Sequence, residues 1–299
     1  MKRGAKGFFM CDDRTHADDQ EFLSKAAAPT RRAFGLMSAA ALAACATPPA
    51  NAQEVAEQDV RITTPDGVCD AYFAHPTRGK HPAVLIWPDI MGLRPAFKTM
   101  GKRLAQSGYA VLVVNPFYRV THDPLMTAGE SFEQPPVRER LIGLMRGWTP
   151  AQQVVDATTH GAWLDAQAAV DTRRGMGVQG YCMGGPPSFR AAATLPSRVK
   201  AAASFHGGGL VTDQPESPHL LIPRTQASYL IAIAQNDDTA APTVKDTLRQ
   251  AFDAAQRPAE IEVYPAQHGW CALDSNIYDQ VQADRAWARL LALYEANLA

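Results

Sequence analysis

Two runs, Ala83–Trp87 and Ala110–Asn115, are apolar at nearly every position over the length of a strand, and they restrict the fold more than any other feature. A strand with one face in water alternates. One that is apolar throughout has to be covered on both faces. The chain supplies the cover. Further strand-like runs are Arg61–Thr63, Val68–His75, Gly175–Gly180, Ala201–Phe205, Tyr229–Ala234 and Glu260–Tyr264, several bounded by Gly or Pro. Between them lie helical patterns at Pro95–Ser107, Ala151–Ala169, Met183–Leu195, Thr243–Ala255 and Tyr278–Asn297. Strands alternating with helices imply right-handed βαβ units, so the expected class is α/β: a mostly parallel sheet with helices on both faces. Thr64-Pro65-Asp66-Gly67 is a turn signature and predicts an antiparallel start. Residues 117–150 fit no clean period, carry Pro124, Pro135, Pro136 and Pro150, and read as a long excursion able to wall a pocket. No internal repeat or second core is visible, which favours one domain over residues 53–299.

Residues 1–52 read as a segment apart. Arg31-Arg32 precede an alanine-rich stretch, Ala33–Ala46, too short to span a bilayer, and Ala50-Asn51-Ala52 offers a small-x-small cleavage site. Basic pair, short apolar run and cleavage site together predict a secretory signal, and the paired arginines resemble a twin-arginine one. The product is then periplasmic or secreted, with the twin-arginine export machinery as a partner. The polar stretch ahead of the arginines is long for such a signal, which points to a start downstream of Met1. Leu42-Ala43-Ala44-Cys45 resembles a lipobox, so a membrane-anchored lipoprotein lipidated at Cys45 is the alternative. An amphipathic first helix is the structural alternative, and the alanine-rich, non-alternating pattern of the apolar stretch argues against it.

Without that segment, which carries seven basic and five acidic groups, the formal charge of −1 becomes −3. Nothing basic remains to attract phosphates, so no nucleic-acid partner is expected. Cys11 and Cys45 fall in the leader, leaving Cys69, Cys182 and Cys271, which match no metal spacing. An odd number cannot all pair; a Cys69–Cys271 disulfide is open, and at least one free thiol is expected.

Gly180-Tyr181-Cys182-Met183-Gly184-Gly185 follows a strand and opens a helix. A nucleophile on so tight a turn needs small neighbours, because strand and helix must approach closely. The turn exposes the side chain above the sheet and aims the Met183 N–H at a developing oxyanion. The helix start favours thiolate over thiol. The bland reading, a buried structural cysteine, accounts for neither the glycine spacing nor the strand–turn–helix context. In this type of site the order is nucleophile, acid, histidine, with the last two on loops after later strands. Of eight histidines only His206, His219 and His268 follow Cys182. His206 precedes any acid loop and is a pocket residue at best, His219 lies in a Pro-flanked loop, and His268 follows a late strand, where the base belongs. Asp237 or Asp238, in the loop after Tyr229–Ala234, should orient it.

With these residues in place the chain, from about Val60 onward, resembles the dienelactone hydrolase (carboxymethylenebutenolidase) family of the α/β-hydrolase superfamily. The elbow carries the resemblance, with Ala234-Gln235-Asn236-Asp237 and Ala266-Gln267-His268-Gly269 beside it. The resemblance favours Asp237 over Asp238 and implies a Cys182–His268–Asp237 triad. Trp87-Pro88-Asp89-Ile90-Met91-Gly92-Leu93 stands where the family has a glutamate that hydrogen-bonds the resting thiol. By resemblance Asp89 would orient the thiol and the Ile90 N–H would join Met183 in holding the oxyanion. Where the family holds its substrate's carboxylate with an arginine four residues past the histidine, this chain has Ala272. Arg94 and Arg119 are candidates to supply that charge, with Tyr118 and Trp270 as pocket walls. The implied activity is cleavage of a small ester or lactone through a thioester, with no metal or cofactor. A hydrolase of other specificity, such as a general carboxylesterase or peptidase, and a non-catalytic binding protein on the same frame are the rivals.

Overall fold

The computed structural model describes residues 13–26, 52–122 and 124–299. The eight strands are β1 (Val55–Thr64), β2 (Gly67–Pro76), β3 (Ala83–Trp87), β4 (Ala110–Val114), β5 (Met176–Tyr181), β6 (Val199–Phe205), β7 (Ser228–Ala234) and β8 (Ala259–Tyr264). They form one sheet in the order β1-β2-β4-β3-β5-β6-β7-β8. The first two pairings, β1 with β2 and β2 with β4, are antiparallel, and every later one is parallel. The helices are α1 (Asp13–Ala26), α2 (Pro95–Gln106), α3 (Pro135–Gly147), α4 (Pro150–Asp165), α5 (Gly185–Thr194), α6 (Gln235–Ala240), α7 (Val244–Ala255) and α8 (Gln280–Asn297). This is the expected α/β-hydrolase arrangement.

The two apolar runs become β3 and β4, buried at every position. Their side chains divide by parity, as the pleat requires. Leu85, Trp87, Leu112 and Val114 join Leu164 of α4 and Phe189 of α5 in one core, while Val84, Ile86, Val111 and Val113 join Phe97 of α2 and Leu290 of α8 in the other. Burying each such aliphatic side chain is worth about 1.5–3 kcal/mol, so these strands anchor both layers at once. β8, the edge, behaves differently. Ile261 and Val263 pack on the first core, while Glu260 and Glu262 alternate with them and pair with Arg289 and Arg285 of α8.

Some boundaries moved, for local reasons. β1 begins at Val55 rather than Arg61, because its polar outer half is held by register with β2 and not by burial. The supposed irregular excursion contains α3, whose tandem prolines begin the helix rather than break it. Only Val137 and Leu141 of α3 are buried, too few to print a period on the sequence. α4 starts at a capping box, with Thr149 and Gln152 exchanging hydrogen bonds. Cys69 and Cys271 are both buried and free, so the disulfide left open between them does not form. The Arg31-Arg32 pair, the apolar run after it, Cys45 and the cleavage site lie outside the described residues. No described helix is long and apolar enough to cross a membrane.

Asp156, fully buried on α4, accepts hydrogen bonds from Tyr118 Oη (2.9 Å), Trp148 Nε1 (2.8 Å) and both terminal nitrogens of Arg119 (3.0 and 2.7 Å). Arg119 reaches on to Asp66 in the β1–β2 turn. These contacts stitch the loop after β4 to α4 and the hairpin. Asp156→Ala leaves buried Tyr118 and Trp148 without their acceptor and the partly buried Arg119 without its inner partner, and is expected to lower stability by about 2–4 kcal/mol, read from urea unfolding. Asp66→Ala, at the exposed end of the same network, should cost under about 1 kcal/mol.

Candidate active site

The chain runs from β3 to β4 on one side of the sheet and then returns to place β5 on the other. The carboxyl ends of β3 and β5 therefore lie at a topological switch point, where open α/β sheets form their crevice. Cys182 sits there, between β5 and α5, on one turn of 3₁₀ helix spanning Cys182–Gly184. Its φ is +54°, a left-handed conformation that strains a non-glycine residue and is typical of functional turns. The neighbours explain why the turn can close. A Cβ on Gly180 would lie 1.7 Å from Gly184 O, one on Gly184 2.3 Å from Trp87 O, and one on Gly185 2.7 Å from Ser204 Oγ. Three positions thus have room only for glycine. Pro186 and Pro187 fall in the first turn of α5, where a missing N–H costs nothing. Cys182 is disulfide-bonded, so thiol chemistry at this turn belongs to the reduced chain.

The loops after β7 and β8 form a second unit. His268 Nδ1 lies 2.8 Å from Asp237 Oδ2, and the His268 N–H donates to Asn236 Oδ1 at 2.9 Å. Gln235 N–H donates to Ala266 O, joining the two loops through their backbones. Asp237 and His268 are both buried. Asp238, the other candidate acid, pairs with Lys245 on α7 instead. Burial disfavours the His268 imidazolium. The charge and hydrogen bond of Asp237 outweigh it, with Asp19 and Asp89 adding to them, and hold the group above the ordinary 6.5.

Cys182, His268, His206, Asp89, Ile90 and Ala272 line one cavity of about 420 Å³. The stretch after β4 contributes Met126 and residues 130–133, so the excursion walls the pocket as its composition suggested. The polar stretch ahead of the arginines also reaches it. α1 packs near α6 and puts Asp19 on the cavity wall, where burial above all, with Asp237 adding and His268 opposing, lifts its carboxyl to about 7.

Arg94, Tyr118, Arg119, Trp270 and Met183 are not on this wall. Arg94 clamps two carboxylates: Asp89 through Nη1 and Nη2 (2.6 and 2.9 Å) and Asp274 through Nε and Nη2 (2.7 and 2.8 Å). Asp89 also caps the Met91 N–H at 2.9 Å, so both its oxygens are engaged. Tyr118 and Arg119 belong to the Asp156 network, and Trp270 is fully buried, stacked on Tyr264 and edge-on to His206. Met183, next to Cys182 on the turn, is buried in the first core. His206 carries more than its sequence position indicated. It adopts a φ of +41°, packs edge-on to His268 at 4.8 Å between ring centroids, and has no hydrogen-bond partner for either ring nitrogen. Asn236 and Asp274 were not singled out from sequence, since one is a plain turn residue there and the other a lone loop aspartate.

Comparison with known proteins gives the family and the fold. The sequence model of the Dienelactone hydrolase family matches residues 69–298. A Salmonella typhi protein provisionally named a carboxymethylenebutenolidase is 28% identical over 251 residues, covering 77% of this chain and 88% of that protein. The carboxymethylenebutenolidase of Rhodococcus opacus is 25% identical over 226 residues, covering 74% and 83%. Among solved structures, a provisionally named dienelactone hydrolase of Klebsiella pneumoniae superimposes with a TM-score of 0.69 at 26% identity, covering 81% of this chain and 99% of that one.

The glycine requirement gives a paired test. Gly184→Ala drives a Cβ into the Trp87 carbonyl and should destabilise by about 3 kcal/mol or prevent folding. Gly143→Ala, on the exposed face of α3 with nothing within 4 Å of its Cβ, should stabilise by about 0.5–1 kcal/mol in the same thermal melt.

Proposed function

The chain belongs to the dienelactone hydrolase family, and from that premise we propose that it hydrolyses small carboxylic esters or lactones by acyl transfer to Cys182. The observation that carries the reading is the left-handed Cys182 turn opening on the same cavity as a histidine bonded at Nδ1 to a buried aspartate.

The hydrogen bond to Asp237 fixes the His268 tautomer with the proton on Nδ1, leaving Nε2 to accept the Cys182 proton. As the thiolate attacks the substrate carbonyl, the S–C bond forms and the carbonyl electron pair moves onto oxygen. The N–H groups of Met183 and Ile90 hold that oxyanion; one such donor is worth about 3–4 kcal/mol. Collapse expels the alkoxide, which takes the proton from His268 and leaves a thioester. Water, deprotonated by His268, then cleaves the thioester and regenerates the thiol as the carboxylic acid departs. Asp89 acts in this scheme through the turn, since its capping of Met91 and its clasp on Arg94 fix the backbone on which the Ile90 N–H sits.

Under reducing conditions the full chain should cleave phenyl acetate, and Cys182→Ala should lose the activity by more than about a thousandfold while keeping its melting temperature. Equal hydrolysis by both proteins would overturn the scheme. In the same assay the acid limb of kcat/KM should lie above pH 6.5, because His268 must shed a proton that Asp237 helps it keep. Asp237→Asn removes that support while burial remains, so the limb should move downward as the rate falls by about two to four orders of magnitude.

The leader extends the proposal to location: an enzyme exported through the twin-arginine route, with lipid attachment at Cys45 as the alternative. Replacing Arg31 and Arg32 by lysine should hold the precursor in the cytoplasm, as read by fractionation. Unchanged export would remove the twin-arginine assignment.

A further inference from the structure

Ionic side chains are distributed unevenly around the cavity. Asp89, Glu130, Glu133 and Asp274 line it, and no lysine or arginine is among its described lining residues. Two arginines stand behind the wall, each already committed. Arg94 is shared between Asp89 and Asp274, so that trio carries a net negative charge, and Arg140 pairs with Glu130. Glu133 accepts hydrogen bonds from Asn276 and, on α1, from Gln20.

Besides His268, the cavity's one basic side chain among the described residues is His206. Burial, and then the neighbouring His268, hold His206 in its neutral form. Both its nitrogens lack partners, so it offers a hydrogen bond but no charge. Position 272, where a longer side chain could reach inward, presents only a methyl group. The remaining wall is apolar: Met91, Met126, Phe132 and Ile277. An anionic substrate entering this space would lose water, meet carboxylates at close range and find no lysine or arginine among the described lining residues, an arrangement that disfavours it against a neutral one.

We propose that this cavity selects small uncharged esters or lactones and turns away those carrying a carboxylate. The assignment deepens the hydrolase reading and rests on it for substrate turnover, though not for the pocket's charge, which can be read without turnover. The negative field acts on any reagent that approaches Cys182.

Two matched pairs test it on the reduced full chain. The first is 4-acetoxybenzamide against 4-acetoxybenzoate, which share the acyl group and differ in one charge. With each rate divided by that for alkaline hydrolysis, kcat/KM for the amide should exceed that for the carboxylate by about tenfold or more at low salt. The second pair is iodoacetamide against iodoacetate, with the adduct read on the Cys182 peptide by mass spectrometry and each rate normalised to free cysteine. Iodoacetamide should be favoured by a similar factor. Both preferences should shrink as salt rises past about 0.1 M, where exposed charges are screened. They should also shrink several-fold in Asp274→Asn, which leaves Arg94 with a single carboxylate. If neither ester is cleaved but iodoacetamide is still preferred, the hydrolase reading fails and the charge selection stands. Cleavage of both esters with normalised rates equal, or with the anion faster, overturns the selection and leaves the hydrolase reading intact. A neutral preference indifferent to both salt and Asp274→Asn also overturns it.

Discussion

Backbone packed directly on backbone, where Gly184 meets the carbonyl of Trp87, is the contact on which the rest of this molecule depends. It lets the end of β3, the end of β5 and the start of α5 converge within one residue's width. That convergence holds Cys182 in its left-handed conformation, at a strain of about 1–3 kcal/mol that an isolated turn would relieve. The cores above and below the sheet supply the restoring force. Leu85 and Trp87 pull on one layer while Val84 and Ile86 pull on the other, so β3 cannot tilt away. A continuous apolar strand and a strained polar turn are thus two parts of one mechanical arrangement.

Charge is handled by a different logic. Asp89, Arg94 and Asp274 are brought together from the loops after β3 and β8, and each pairing is short and forked. Burying Asp89 and Arg94 costs solvation, and their mutual hydrogen bonds, with those that the exposed Asp274 adds from the solvent side, offset it. The trio joins the wall beside Ile90 to the wall beside Ala272, bracing the cavity across its width. The family resemblance suggested a carboxylate at position 89 turned toward the thiol; here its oxygens face a guanidinium and a backbone N–H. Aspartate, one methylene shorter than glutamate, suits a cap on its own turn.

Much of this was legible in the sequence, and the divide between what was and was not has physical causes. β3 and β4 declared themselves because burial on both faces leaves no polar position. The elbow did so because three glycines within six residues, set between a strand and a helix, fit a turn in which backbone must touch backbone. His268 stood out by chain order and by its place after a late strand, and in space it meets Asp237. Asp237 and Asp238 could not be separated by the residues themselves, since either can end a strand; a hydrogen bond to His268 and an ion pair to Lys245 distinguish them in space. α3 stayed hidden because two buried side chains make no periodicity. The engagement of Arg94 with Asp274 joins residues 180 positions apart, a distance no local pattern reports. α1 lay in the stretch set aside as leader, and its approach to the cavity depends on tertiary contacts that polar composition does not encode.

The sheet ends with β8, and no strand among the described residues lies along its outer backbone edge. Such an edge is a template on which another copy of the chain can add a strand. Here Glu260 and Glu262 stand along it, each clasped by an arginine of α8. An incoming strand would have to displace those clasps and set its own side chains against ionised carboxylates. The guard is made of half-exposed ion pairs, which dissolved salt screens. Ionic strength is therefore the condition that governs how readily this edge accepts another strand.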